Sequence, residues 1–145
     1  MQITRKHSST SNIIRCKLRS STTGQGLTGL TSASSGLIIS TICDNEATAT
    51  TYTVAGSTIE TITTLATYAA PTATKCRFME VDATNHKGLY EFQFADARFS
   101  VANAKVLRID ITGATGLMDK EIVIQLDVVT SDLMRSVAML RVQQT

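Results

Sequence analysis

Apolar and polar residues alternate through much of the stretch from Phe78 to Thr112. In Leu89–Phe94, Tyr90, Phe92 and Phe94 fall on one side and Leu89, Glu91 and Gln93 on the other. In Val106–Ile111, Leu107, Ile109 and Ile111 oppose Val106, Arg108 and Asp110. Phe78–Val81 is shorter and partly apolar. A period of two residues marks a strand with one buried face, so this stretch predicts three strands. Asn12–Arg19 has the same period, with Ile14, Cys16 and Leu18 inward and Ile13, Arg15, Lys17 and Arg19 outward. So does Leu117–Val129, where Ile122, Ile124 and Leu126 oppose Glu121, Val123, Gln125 and Asp127. Leu37–Cys43 is almost continuously apolar, which predicts a strand buried on both faces. Ala47–Val54 predicts a Thr-rich strand. Ser57–Ala66 is ambiguous: Ser57 and Glu60 match a capping box, but β-branched residues dominate the run and favour a strand.

Clusters of turn residues separate these runs, as in Ser20–Gly26 and Gly113–Gly116. Seven or eight short strands at this spacing predict an all-β fold, an immunoglobulin-like antiparallel β-sandwich. Gly88-Leu89-Tyr90-Glu91-Phe92 has the shape of a tyrosine corner, in which a Tyr hydroxyl returns to nearby backbone, and Phe92 stands where such a domain places its second cysteine. After Thr130-Ser131-Asp132 the period changes. Leu133, Val137 and Leu140 share one helical face, which predicts a short C-terminal helix. The expected organisation is a basic N-terminal arm over 1–11, a β-sandwich domain over 12–129, and an amphipathic helix or tail over 130–145.

Composition adds to this picture. Roughly a quarter of the 145 residues are Ser or Thr, and Thr suits half-exposed strand faces. The net charge of +2 is unevenly spread. Arg5, Lys6, Arg15, Lys17 and Arg19 precede the first acid, Asp44, so residues 1–43 carry +5 while the remainder has 9 basic against 12 acidic residues. These five residues are candidate contacts to an acidic partner surface. No aromatic residue is interleaved with them for base stacking, which argues against nucleic acid. Leu133, Val137 and Leu140 are candidates for an apolar contact. The N-terminus lacks the apolar stretch of a signal peptide, and no run approaches a membrane span.

The residues for chemistry are sparse. Cys16, Cys43 and Cys76 have no zinc spacing. Cys16 is expected to be buried, while Cys43, beside the Asp44-Asn45 turn, is a candidate for exposure and an inter-subunit disulfide. His7 and His86 lack metal-binding neighbours in sequence. Asp44-Asn45-Glu46 lacks the ligand count of a calcium loop and reads as a solvated turn. Nucleophile, phosphate-loop and dinucleotide motifs are missing. No catalytic, metal or cofactor site is therefore expected, and the chain is read as a non-enzyme.

Three strings carry a resemblance: SSTTGQGLTGLTSASSGL, FMEVDATNHKGLYEFQFADARF and VLRIDITGATGL. In this order they resemble a small immunoglobulin-like virion protein family of tailed bacteriophages, over roughly residues 3–126. In outline the chain is also similar to the N-terminal domain of phage baseplate upper proteins. The resemblance implies a structural protein of the virion, assembled in the bacterial host cytoplasm. Its implied partners are other virion proteins and its own copies, in an adaptor role at the tail, baseplate or fibre attachment. Capsid decoration is the alternative. A host-glycan binding module ranks lower, because exposed aromatic residues are few.

Overall fold

The computed structural model describes residues 1–127. Within them the alternating runs form strands, and nine strands build two sheets. In chain order these are β1 (Gln2–Lys6), β2 (Ile13–Lys17), β3 (Ile38–Cys43), β4 (Thr50–Thr53), β5 (Ile59–Thr61), β6 (Cys76–Asp82), β7 (His86–Gln93), β8 (Val106–Thr112) and β9 (Lys120–Asp127). One sheet has the order β1-β9-β8-β3-β4, the other β2-β7-β6-β5. The fold is thus an all-β sandwich. Its sheets are mixed and not purely antiparallel, since β1 runs parallel to β9 and β5 parallel to β6. The predicted C-terminal helix, with Leu133, Val137 and Leu140, lies outside the described residues.

The inner faces supply one hydrophobic core. Ile14, Cys16, Phe78, Tyr90 and Phe92 come from the four-stranded sheet, and Ile39, Tyr52, Leu107, Ile109, Ile111, Ile122 and Ile124 from the five-stranded one. With no Trp in the chain, stacked rings take the bulk. Phe78 lies directly across from Phe92 in the ladder, with ring centroids 5.1 Å apart, and stacks on Tyr90 at 5.0 Å. Phe94 extends the row to Tyr52 of the opposite sheet at 5.9 Å. Such cross-strand aromatic pairs contribute beyond the area they bury.

Several expectations are corrected. Residues 2–6, expected in a polar arm, form an edge strand, because Ile3 packs on the core and the backbone pairs with β9 from Gln2↔Val123 to Lys6↔Asp127. Leu37–Cys43 is buried on one face only; Ile38 is 38% exposed and points away from the core. Of Ser57–Ala66 only Ile59–Thr61 pairs as a strand. The tyrosine corner is absent as such. The Tyr90 hydroxyl donates to the Leu27 carbonyl at 2.8 Å and accepts from the Leu30 amide at 3.1 Å, about sixty residues upstream, so it anchors a distant loop.

Gly88 lies within β7 at φ +87°, where an L side chain is strained. A Cβ there would meet Gly26 Cα at 2.6 Å and the Leu18 carbonyl at 2.7 Å. The absence of side chains at Gly26 and Gly88 lets the 19–26 turn press directly on the β6–β7 hairpin. The contact is fastened by Leu18 N–H donating to the Gly88 carbonyl at 2.7 Å.

The outer face of β7 is also covered. An irregular strap, residues 62–75, crosses the four-stranded sheet and buries Glu91 and Gln93 completely. Glu91 Oε1 accepts two hydrogen bonds from the Arg15 guanidinium, at 2.9 and 2.8 Å, and one from the Ala66 amide at 3.0 Å. Its Oε2 accepts from the Gln93 amide nitrogen at 2.8 Å. Gln93 in turn donates to the Thr67 carbonyl and accepts from the Ala69 N–H. A buried carboxylate is tolerated only when paired and hydrogen-bonded this fully. Glu91→Ala strands the donors of Arg15, Ala66 and Gln93, so we expect a loss of about 3 kcal/mol. Urea unfolding checks this, and a midpoint within error of the parent would show that the strap does not depend on the carboxylate.

Candidate functional site

The five basic residues expected to form one surface are divided by the fold. Arg5 turns inward on β1, and its guanidinium donates to the carbonyls of Thr4 and Ile13. Lys6 is exposed at the end of β1, in register with Asp127. Arg15 is committed to Glu91. Lys17 and Arg19 remain exposed, with Lys17 at the end of β2 and Arg19 just beyond it. The three apolar candidates Leu133, Val137 and Leu140 fall outside the described residues.

Lys17 and Arg19 meet His86 and Lys87, which the sequence reading had not joined to them. The four side chains line a groove of about 570 Å³ between the 19–26 turn and the β6–β7 hairpin. Gly26 and the Lys87 backbone, which meet beside the Gly26–Gly88 contact, line its base. Arg19 spends one N–H on the Gly24 carbonyl, at 3.1 Å, which holds the guanidinium beside the turn. The hairpin is shaped by Asp82, whose carboxylate accepts from the Thr84 and Asn85 amides. These bonds hold the Asp82 pKa below the usual carboxylate value. The pairing register could have revealed the cluster, since Lys17 lies opposite Leu89, two residues from Lys87. That register joins strands some seventy residues apart and is not marked by any local pattern.

A second surface is the outer face of the five-stranded sheet. Ile38, Ile42, Val106 and Val123 lie there among Ser40, Thr51 and Thr53. Arg108 and Glu121 pair across it at 2.9 Å, both more than half exposed. Asp110 stands opposite Glu121, and its pKa is raised by burial first and by Asp119 and Glu121 next. The edge strand β4, Thr-Thr-Tyr-Thr, carries no charge.

Asp44 and Asn45 form an exposed turn, as expected, and the turn is also tied into the end of the sandwich. Arg98 forks onto Glu46, with Nη2 2.6 Å from Oε1 and Nη1 3.1 Å from Oε2, while Nε donates to the buried Thr41 hydroxyl at 2.9 Å. Asp44 accepts the Lys105 and Val106 amides. The Arg98 bonds are the main cause that lowers the Glu46 pKa to about 2. Cys43 lies behind this network and is buried, which corrects the expected exposure, and burial pushes its thiol up to about 11. Cys16 and Cys76 are buried too. Among the described residues no three His, Cys, Asp or Glu side chains gather as metal ligands. No described helix is long and apolar enough to cross a membrane.

No family model, curated protein or solved structure matches the chain.

The folded Glu46 pKa lies below its ordinary 4.5. Its contribution to stability is therefore complete above that value and is lost as pH falls toward about 2. Wild type should lose more stability than Glu46→Gln between these limits. Urea midpoints along the pH series test this, and parallel curves would remove Glu46 from the account. The three thiols should also resist alkylation until the protein unfolds, and the non-reducing gel should show a monomer; rapid native labelling of Cys43 would contradict its burial.

Proposed function

We propose that this chain is a non-enzymatic structural protein of a tailed-phage virion, an adaptor at the tail or baseplate that acts by protein–protein assembly. One observation carries the reading. The chain covers the outer face of one sheet with its own strap, yet among the described residues no segment crosses the outer face of the other sheet, where Ile38 is exposed. An open face with apolar residues, beside an uncharged edge strand, suits packing against a neighbouring chain.

The strand order supports an immunoglobulin-like reading of the sandwich. β2, β7 and β6 would take the places of strands B, E and D, and β9, β8, β3 and β4 those of G, F, C and C′. In that assignment Tyr90 and Phe92 sit on the E position. The tyrosine-corner and second-cysteine expectations belong on F, which explains why neither held. Cys16, on the B position, is free.

Copy number per particle tests the function. Quantitative mass spectrometry of purified virions should find a handful of copies relative to the major capsid protein. Hundreds of copies would replace the adaptor with a shell decoration, and absence from the particle would end the virion reading. At the residue level, Ile38→Lys should leave the urea midpoint within about 1 kcal/mol of stability, because the side chain is outside the core. It should nonetheless reduce incorporation into particles; unchanged incorporation would remove the open face from the docking surface.

A further inference from the structure

We infer that the groove between the 19–26 turn and the β6–β7 hairpin is a binding site for an anionic polysaccharide, one that bears sulfate, phosphate or carboxylate groups. Lys17, Arg19 and Lys87 bring three formal positive charges to one groove, and no Asp or Glu lines it. None of the three forms an ion pair among the described residues, whereas Arg15, Arg77, Arg98 and Arg108 all do. Like charges held close without an acid between them repel. Four arginines of the fold are thus neutralised by an acid, while these three cations share one groove outside any ion pair among the described residues, where an anion relieves their repulsion.

The groove is also built rather than incidental. Its floor is backbone on backbone, with a Cβ at Gly26 meeting the Lys87 carbonyl at 2.2 Å. The flanking turn is closed by Ser20 N–H on the Gln25 carbonyl and Gly24 N–H on the Ser20 carbonyl. The cationic side chains therefore project from a scaffold with little freedom to collapse, which lowers the cost of ordering on binding.

The remaining lining selects among anions. Thr23, Gln25, Thr84 and Asn85 contribute hydroxyl and amide groups, the complement of sugar hydroxyls. No Phe, Tyr or Trp lines the groove, and the single His86 ring is not the row of stacking platforms that single-stranded nucleic acid uses. No apolar side chain lines the groove to seat the buried anchor of a protein hot spot. Charge and hydrogen bonds thus supply here what exposed aromatics supply in other glycan sites. The inference is independent of the assembly reading, because it concerns a different surface and stands whether or not the chain is a virion component.

The test is calorimetric titration of the full chain with a sulfated hexasaccharide, its unsulfated counterpart, inorganic sulfate and a short DNA duplex. The sulfated sugar should bind with an affinity that falls as salt rises, and the unsulfated sugar should bind at least tenfold more weakly. Lys17→Ala with Lys87→Ala should weaken binding at least tenfold at an unchanged urea midpoint. Lys6→Ala with Lys105→Ala, which removes the same charge elsewhere, should weaken it less than twofold. An equal loss in both double variants would reduce the effect to net charge and overturn the site. So would tighter binding of DNA than of the sulfated sugar, inorganic sulfate binding as tightly as the sugar, or no binding of the sulfated sugar at all.

Discussion

Glu91 is the group on which the four-stranded sheet depends. It is a carboxylate with no exposed surface, set in the middle of β7 between two strands. Left alone it would cost several kcal/mol. Arg15 from β2, Gln93 from β7 and the Ala66 amide from the strap all converge on it. That convergence fixes three things at once. It aligns β2 beside β7, it lays residues 62–75 across the sheet, and it orients Gln93 to hold Thr67 and Ala69. The strap is secured again at its far end, where Glu60 accepts the Thr72 amide and pairs with Arg77 at 3.3 Å. Replacing the cluster by apolar residues could be neutral in stability. What the carboxylate adds is a single placement for a strap that has no secondary structure of its own.

The strands with a clean period of two were legible because their inner face is apolar and their outer face meets polar surroundings. β2, β8 and β9 satisfy that rule, and their inward residues are those expected. β7 follows it in pattern but not in environment. Its polar face is buried, and no local signal separates a solvated Glu91 from one under a strap. β1 is too short for a period to show, with Ile3 as its one apolar residue, and its parallel partner lies at the other end of the described chain. β3 failed in the opposite direction. Ile38 and Ile42 read as core by composition, yet the fold turns them outward, to a face that no other described residue crosses.

The candidate surfaces were legible only in part, for a related reason. Five basic residues close in sequence suggested one patch, but strand alternation and pairing sort them. Arg15 faces a partner that could not be foreseen, and Arg5 is spent on the carbonyls of Thr4 and Ile13. Lys17 and Arg19 find Lys87 only because β2 pairs with β7, a contact between residues some seventy positions apart. The two glycines of the contact beside the groove's base are similarly uninformative alone. Gly26 reads as a turn residue and Gly88 as a strand start. Their shared property, a backbone approach that admits no Cβ, exists only between them.

The two surfaces then differ in what they can recognise. The groove is open, polar and cationic, and its energetics are those of charge and hydrogen bonds, so the proposed anion would be selected by sign and by salt. The outer face of the five-stranded sheet mixes Ile38, Ile42, Val106 and Val123 with hydroxyls and with the Arg108, Asp110 and Glu121 charges, so burial and charge pairing would both select a proposed partner there. They also belong to different sheets: Lys17 and Lys87 to the four-stranded one, the open face to the five-stranded one. A partner on that outer face would leave the Gly26–Gly88 contact and the cations where they are. The proposed anion site and the proposed docking face are therefore separable, because the residues that form them belong to different sheets.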